Sequence, residues 1–132
     1  MKLIILHGPN MNLIGIKSKT INKTITLSKI NSALKKIAKK NNLELKIMQT
    51  HSQSKANKFL HRNRNVASGI LLTPTSWKEF GYTIKETLEI INIPFVAVHF
   101  DGSNTIFNTN NITHNDPMTV YKLAIEKLIK LI

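Results

Sequence analysis

The sequence predicts an α/β protein built around a parallel sheet. Short apolar runs that end at glycine, proline or asparagine indicate buried strands. They alternate with longer segments whose apolar residues recur at helical spacing. Such alternation is typical of parallel sheets, because a helix carries the chain back to the starting edge before each new strand. At 132 residues, the chain is expected to form one domain, residues 1–132.

Four segments fit strands of such a sheet. The first, Leu3–Leu6, is apolar throughout and is followed by the turn residues Gly8 and Pro9. The three further predicted strands are Leu43–Gln49, Gly69–Leu72 and Phe95–His99.

The clearest helical pattern begins near Leu27. Its apolar residues, spaced three or four apart, are Leu27, Ile30, Leu34, Ile37 and Ala38. Thr26 or Thr24 would cap the start of this helix, and Asn41 and Asn42 would end it. The other predicted helices are Lys55–Asn63, Thr83–Ile91 and Pro117–Ile132.

Polar residues follow every predicted strand. The segments at the four carboxyl ends are His7–Asn12, Gln49–Ser52, Thr73–Trp77 and His99–Ser103. In parallel α/β sheets these ends meet at one edge, and ligands bind there. We therefore expect a binding site at this edge of the sheet.

The chain is strongly basic. Nineteen lysines and arginines outweigh seven carboxylates, which leaves a formal net charge of +12. A basic surface attracts RNA and other polyanions through counterion release. An AT-rich genome would enrich lysine, asparagine and isoleucine codons in the same way, so the charge alone does not separate function from codon bias.

Composition also limits the kinds of site and location. The chain has no cysteine, which excludes disulfides and thiolate metal sites, and its histidines lack ligand spacing, so no metal is predicted. The opening MKLIILHG is too short for a signal peptide, and no apolar run approaches the ~18 residues of a membrane span. We expect a protein of the cytoplasm or an organelle matrix with no membrane partner.

Motifs along nearly the whole chain resemble one enzyme family. The segment HGPNMNLIGIKSKTINKTITL, residues 7–27, resembles the signature N-G-P-N-L-N-x-L-G-x-R-x-P-x-x-Y-G-x-x-T-L of type II 3-dehydroquinate dehydratases. GILLTPTSW, IPFVAVHF and VYKLAIEKL resemble later motifs of that family in the correct order. The resemblance implies a flavodoxin-like three-layer sandwich that eliminates water from 3-dehydroquinate through an enolate and needs no cofactor.

The resemblance also implies roles for particular positions. In the family an asparagine holds a water near the enolate oxygen, and a histidine belongs to the acid side of the mechanism. Asn10 and His99 match these positions. A family tyrosine takes the C2 proton beside an arginine, and a glutamate orients the histidine. Those three positions hold Asn22, Lys17 and Ala97 in this chain.

These replacements remove several catalytic functions together. A general base contributes about 10²–10⁴-fold to a rate, and asparagine is no base. The family's two arginines that follow the histidine motif are also absent from DGSNTIFNTNNIT. Tyr82, at the start of a predicted helix, could reach the edge near Thr73 as a substitute base. The family's fifth strand, a G-V-I-x-G run, has no counterpart, so we predict four strands.

The losses favour a divergent family member without dehydratase activity, kept as a basic binding or structural module. Its candidate partner is RNA or a ribonucleoprotein such as a ribosome. The residues expected to contact phosphates are Lys17, Lys19, Lys23, Lys35, Lys36, Lys39, Lys40, Arg62 and Arg64. The alternative is an active but drifted 3-dehydroquinate dehydratase, and a third hypothesis is a binder of small anions. Homo-oligomers are compatible with the sequence, but a missing fifth strand would disfavour the family's dodecamer.

Overall fold

A computed structural model describes residues 1–19 and 24–132 of the chain. Among these residues the strands are β1 Lys2–His7, β2 Glu44–Gln49, β3 Ala67–Thr73, β4 Phe95–His99 and β5 Asn111–Thr113. The helices are α1 Ile14–Ser18, α2 Leu27–Lys40, α3 Gln53–Asn63, α4 Tyr82–Ile91 and α5 Pro117–Leu131. Short 3-10 turns, Met11–Leu13 and Thr75–Lys78, follow β1 and β3. No helix in the described part of the chain is long and apolar enough to cross a membrane.

The strands form one parallel sheet in the order β2-β1-β3-β4-β5. This is the strand order of flavodoxin-like folds, in which the chain winds first to one side of β1 and then to the other. The predicted α/β class, the parallel sheet and the flavodoxin-like arrangement are confirmed.

Helices cover both faces of the sheet, so the molecule has three layers. Leu3 and Ile5 of β1 pack in a core cluster with residues of α2 and α5. Ile4 and Leu6 point the other way and pack with residues of α3 and α4. Because both faces of β1 are buried, its sequence is a continuous apolar run instead of an alternating pattern.

Side-chain caps set the starts of three helices. Thr26 accepts a hydrogen bond from the backbone N–H of Lys29 at the start of α2. Ser52 caps α3 and Asp116 caps α5 in the same way. Each cap satisfies one of the backbone donors that a helix leaves unpaired in its first turn.

The prediction of a four-stranded sheet is wrong. β5 pairs in parallel with β4, with Ala97 opposite Asn111 and His99 opposite Thr113. The chain enters β5 through Asn110, whose φ of 53° lies in the left-handed region that asparagine tolerates. A strand of three residues has too little apolar pattern of its own to be detected, and pairing with β4 defines it.

The junction between β1 and β3 requires a glycine. The Gly8 N–H donates to the Thr73 carbonyl at 2.8 Å, just beyond the paired ends of the two strands. A Cβ at residue 8 would lie 2.6 Å from that carbonyl oxygen and 2.7 Å from the carbonyl oxygen of Pro74. Any side chain here would force the two strand ends apart.

A chain of buried polar side chains connects this junction to the helices on one face. The hydroxyls of Thr73 and Tyr121 are hydrogen-bonded, and the Tyr121 hydroxyl lies 3.3 Å from His7 Nδ1. His7 Nε2 lies 2.8 Å from the side-chain oxygen of Asn31. Because that oxygen only accepts, Nε2 of neutral His7 carries the proton and Nδ1 accepts from Tyr121. Burial lowers the pKa of His7 to about 4, although the Asn31 hydrogen bond opposes it, and burial raises the pKa of Tyr121.

We predict that Gly8→Ala lowers the free energy of unfolding by about 1–3 kcal/mol, because the added methyl group overpacks the junction. Urea denaturation measures the change. Gly102→Ala is the matched control, since nothing lies within 4 Å of a Cβ at that position. Equal urea midpoints for the two variants would contradict the steric requirement at residue 8.

We also predict a pH-dependent stability that depends on His7. Its pKa is lower in the folded protein, so the unfolded chain binds more protons between about pH 6.5 and pH 4, and stability falls as the pH falls through this window. The full difference is about 3 kcal/mol. In His7→Asn, the dependence of urea stability on pH should become shallower by that amount. The exposed His61, replaced in the same way, is the control and should retain the slope of the parent protein.

Candidate functional site

A pocket of about 330 Å³ opens at the carboxyl ends of β1, β3 and β4. It lies between β1 and β3, where the direction of winding reverses, which is the usual position of ligand sites in this class of fold. Its polar lining residues are Asn10, Lys17, Thr73, Thr75, Ser76, Lys78, His99 and Asp101. The fold therefore brings His99 into the same pocket as Asn10 and Lys17, although more than eighty residues separate His99 from either in the sequence.

The turn after β1 presents Asn10 to this pocket. Asn10 has a φ of 65°, a left-handed conformation that asparagine adopts more readily than most residues. Its backbone N–H donates to Nδ1 of His51 at 3.2 Å, and the side-chain amide of Gln49 donates to the Gly8 carbonyl at 3.2 Å. The segment after β2 thus holds the Gly8–Asn10 turn in place.

The turn after β3 contains a strained threonine. Thr75 has a φ of 49°, a conformation that costs a residue with a Cβ roughly 1–2 kcal/mol. The family motif that GILLTPTSW resembles, G-I-I-I-N-P-G-A-Y, has glycine at this position. The Thr75 hydroxyl lies 2.8 Å from the Pro9 carbonyl and can donate to it, which connects the turns after β1 and β3. This hydrogen bond is specific to a hydroxyl-bearing residue and offsets part of the strain.

His99 lies at the end of β4 and is almost fully buried, at 7% exposure. Burial lowers the pKa of His99, and the positive charge of Lys78 acts in the same direction. Hydrogen bonds with the Asn111 side chain and the Phe107 backbone, and the negative charge of Asp101, oppose that change. The pocket therefore contains a histidine whose neutral form is favoured.

Lys78 and Asp101 form an ion pair at the edge of the pocket, with 3.4 Å between Nζ and Oδ1. Lys78 also contacts the Ser103 hydroxyl. Hydrogen bonds from Ser103, through its hydroxyl and then its backbone N–H, lower the pKa of Asp101 to about 2. Asp101 is therefore an ionised carboxylate at neutral pH.

Lys17 is the second lysine that lines the pocket. It is exposed, and its ammonium lies 5.2 Å from the centre of the Phe100 ring, a cation–π distance. Two lysines and one aspartate give the lining a net positive charge, which suits a small anion. Within residues 1–19 and 24–132, no three His, Asp or Glu side chains are grouped as metal ligands would be.

The structure separates most of the residues predicted to contact nucleic acid. Lys35, Lys36, Lys39 and Lys40 are exposed on α2, whereas the exposed Arg62 and Arg64 lie at the end of α3, on the opposite face of the sheet. Lys19 is exposed just after α1. Lys23 and Asn22 lie outside the described residues. The described candidates therefore do not share one face of the molecule.

The suggested substitute base is not in the pocket. Tyr82 is 62% exposed at the start of α4 and is not among the lining residues. Tyr121 is buried behind the pocket wall, where its hydroxyl bonds to Thr73 and its ring lies beside that of Phe100, and it is not among the lining residues. Neither tyrosine can take a proton from a ligand in this pocket as it is built.

Sequence reasoning missed Lys78 and Asn111. Lys78 is one residue beyond the Thr73–Trp77 segment that was expected at the edge of the sheet, and the 3-10 turn brings it back to the pocket. Asn111 contacts His99 from β5, the strand that the apolar pattern did not reveal. Asp101 lies within the expected His99–Ser103 segment, but its pairing with Lys78 had no signal in the sequence.

Several known proteins resemble this chain in sequence. The family model described as dehydroquinase class II matches residues 1–126. A 3-dehydroquinate dehydratase of Pelotomaculum thermopropionicum is 30% identical over 102 residues, which cover 77% of this chain and 71% of the relative. A 3-dehydroquinate dehydratase of Geotalea daltonii is 27% identical over 124 residues, covering 94% and 86% of the two chains.

Solved structures agree with the fold. The type II dehydroquinase of Butyrivibrio crossotus has a TM-score of 0.87 at 20% identity, covering 98% of this chain and 97% of its own. A 3-dehydroquinate dehydratase-like protein of Bifidobacterium longum has a TM-score of 0.74 at 19% identity, with coverage of 99% and 97%. Because the family model matches residues 1–126 of its 132 residues, the chain belongs to the class II dehydroquinase family.

Proposed function

We propose that this protein is a 3-dehydroquinate dehydratase with an altered site, which binds its substrate in the pocket and dehydrates it slowly. The observation that supports this proposal is the convergence of Asn10 and His99 in one pocket with a net positive lining. A volume of about 330 Å³ is at the small end of the range for ligand pockets and suits a single substituted ring.

Lys17 and Lys78 would attract the substrate's carboxylate. A lysine ammonium is a point charge, whereas an arginine grips a carboxylate through two parallel hydrogen bonds. A lysine in place of the family's arginine therefore keeps the electrostatic attraction for the carboxylate, but it fixes the orientation of the carboxylate less well. Since Lys78 is already paired with Asp101, its position is set before the substrate arrives.

The reaction has two bond-breaking stages. The C2–H bond breaks first: a solvent water accepts the proton, and the electron pair of the bond forms the enolate, near which Asn10 would hold a second water. The C–O bond to the leaving hydroxyl then breaks, that hydroxyl takes a proton from the protonated fraction of His99, and water leaves an enone. Asn22 cannot accept the first proton, and Asp101, with its low pKa, is a weak base. Proton removal from C2 is therefore the slow step in this proposal.

The contrasting hypothesis is a member of the family that binds without turnover. The same pocket and the same lysines would then hold a small anion. In this hypothesis the absence of the tyrosine base abolishes turnover instead of slowing it. The two hypotheses differ only in turnover, which can be measured directly.

We predict slow formation of the enone when the purified protein is incubated with 3-dehydroquinate and followed by absorbance. Replacing Asn22 by Tyr together with Lys17 by Arg should raise the rate by about 10²-fold or more, because it restores a base and its activator. His99→Ala should abolish turnover. No turnover by the unmodified protein, together with saturable binding of the substrate, would establish the binding hypothesis instead.

We propose polyanion binding as a second function, supported by the charge of one helix. α2 contains five lysines and no carboxylate, and all five are exposed. Four of them, Lys35, Lys36, Lys39 and Lys40, lie close together in the second half of the helix. A solvated helix of this kind contacts phosphates without reading base sequence.

We predict that affinity for mixed single-stranded RNA falls steeply with salt, with a slope that decreases by about 0.7 for each phosphate contact removed. Replacing Lys35, Lys36, Lys39 and Lys40 by glutamine should make affinity depend less steeply on the salt concentration. The matched control replaces Arg62 and Arg64 on the opposite face. A salt-independent affinity, or equal slopes for both variants, would contradict binding through α2.

A further inference from the structure

The strand that positions His99 provides no polar partner for it. Ala97 and His99 are two residues apart on β4, so their side chains lie on the same face of the sheet. Ala97 is fully buried in the core cluster beneath α3 and α4. Its methyl group stands where the family signature has a carboxylate, and it can neither accept nor donate a hydrogen bond.

The neighbouring strand provides a polar group at the same level. β5 pairs with β4 so that Asn111 stands directly opposite Ala97, and side chains opposite each other in a parallel pair lie on the same face. The side-chain oxygen of Asn111 lies 3.4 Å from Nε2 of His99. Asn111 is half-buried, so water competes only in part for this contact.

The turn into β5 keeps Asn111 in register. The backbone N–H of Ala97 donates to the Asn110 carbonyl at 3.4 Å, and the Asn110 side-chain amide donates to the Phe95 carbonyl at 3.4 Å. Asn110 thus contacts β4 at two residues, Phe95 and Ala97, just before the level of His99. The position of the amide follows from the pairing of two strands and not from a flexible loop.

We propose that Asn111 is the positioning residue for His99 and that it takes over, from the adjacent strand, the role left open by Ala97. This inference rests on the proposed dehydratase function. The Asn111 oxygen only accepts hydrogen bonds, so this contact requires the proton of neutral His99 to lie on Nε2. The contact favours that tautomer and one orientation of the ring, in competition with the hydrogen bond to the Phe107 backbone. Hydrogen bonds of catalytic groups are often long before the substrate binds.

A neutral amide has a different electrostatic effect from a carboxylate. It orients the ring but adds no negative charge. Burial and Lys78 therefore continue to lower the pKa of His99, against the hydrogen bonds with Asn111 and the Phe107 backbone and the charge of Asp101. The proposed replacement keeps the geometry of the site and makes the histidine a weaker proton acceptor than a carboxylate partner would.

The test measures His99 directly by NMR in the full-length protein, using long-range ¹H–¹⁵N correlations of the histidine rings. In the parent protein at neutral pH, we expect the proton of His99 to reside on Nε2. Asn111→Asp preserves the shape of the side chain and adds a charge, so it should raise the pKa of His99 by about one pH unit or more. Asn111→Ala should lower the pKa and leave a mixture of the two tautomers.

Asn108→Asp is the matched control, because it places the same charge on an exposed residue of the same connection between β4 and β5. It should change the pKa of His99 by much less than Asn111→Asp does. If His99 in Asn111→Asp titrates as in the control, the proposal is wrong. Should Asn111→Ala fail to fold, the aspartate variant still decides the question.

A kinetic measurement separates this inference from the proposed function. If the parent protein turns over 3-dehydroquinate, Asn111→Ala should lower kcat about tenfold with little change in KM, and Asn111→Asp should restore most of kcat with a shifted pH profile. If the parent has no turnover, the proposed function fails, whereas the NMR result still shows whether Asn111 positions His99.

Discussion

The close approach of β1 and β3 at their carboxyl ends is the constraint on which the site depends. The Gly8 N–H donates to the Thr73 carbonyl, and there is no space for a Cβ at residue 8. The turns after both strands begin at this point, so the position of Asn10 and Thr75 follows from it. The same junction is held from within the molecule by Tyr121, which connects Thr73 to buried His7.

Residues in unfavourable backbone conformations surround the pocket. Asn10 and Thr75 both have positive φ, and the Thr75 hydroxyl contacts the Pro9 carbonyl across the junction. A structure keeps such residues only where its surroundings determine them strongly. The backbone fold matches that of a type II dehydroquinase, and the pocket residues Asn10, Thr75 and His99 lie at the ends of β1, β3 and β4.

Position-by-position comparison with a family signature gives an incomplete account of such a site. It identifies Ala97 as the loss of a partner for His99, and it aligns no residue that compensates. The structure places Asn111 opposite Ala97 on the next strand, so a function can pass between strands while the linear comparison records only a substitution. The ion pair between Lys78 and Asp101 is a second polar contact at the pocket that joins residues far apart in the sequence, and comparison with the signature does not reveal it.

The sequence by itself determined the class of fold, the order of the main elements and the edge of the sheet at which a pocket forms. These depend on apolar periodicity and on turn residues, which are local properties, and the family signature made the flavodoxin-like order explicit. Only the tertiary structure decided the number of strands, the exclusion of Tyr82 from the pocket and the neighbours of His99. β5 is too short to have an apolar pattern of its own and is defined by its pairing with β4. The charged residues of the pocket, Lys17, Lys78 and Asp101, come from separate segments, and local sequence patterns do not predict that these segments meet.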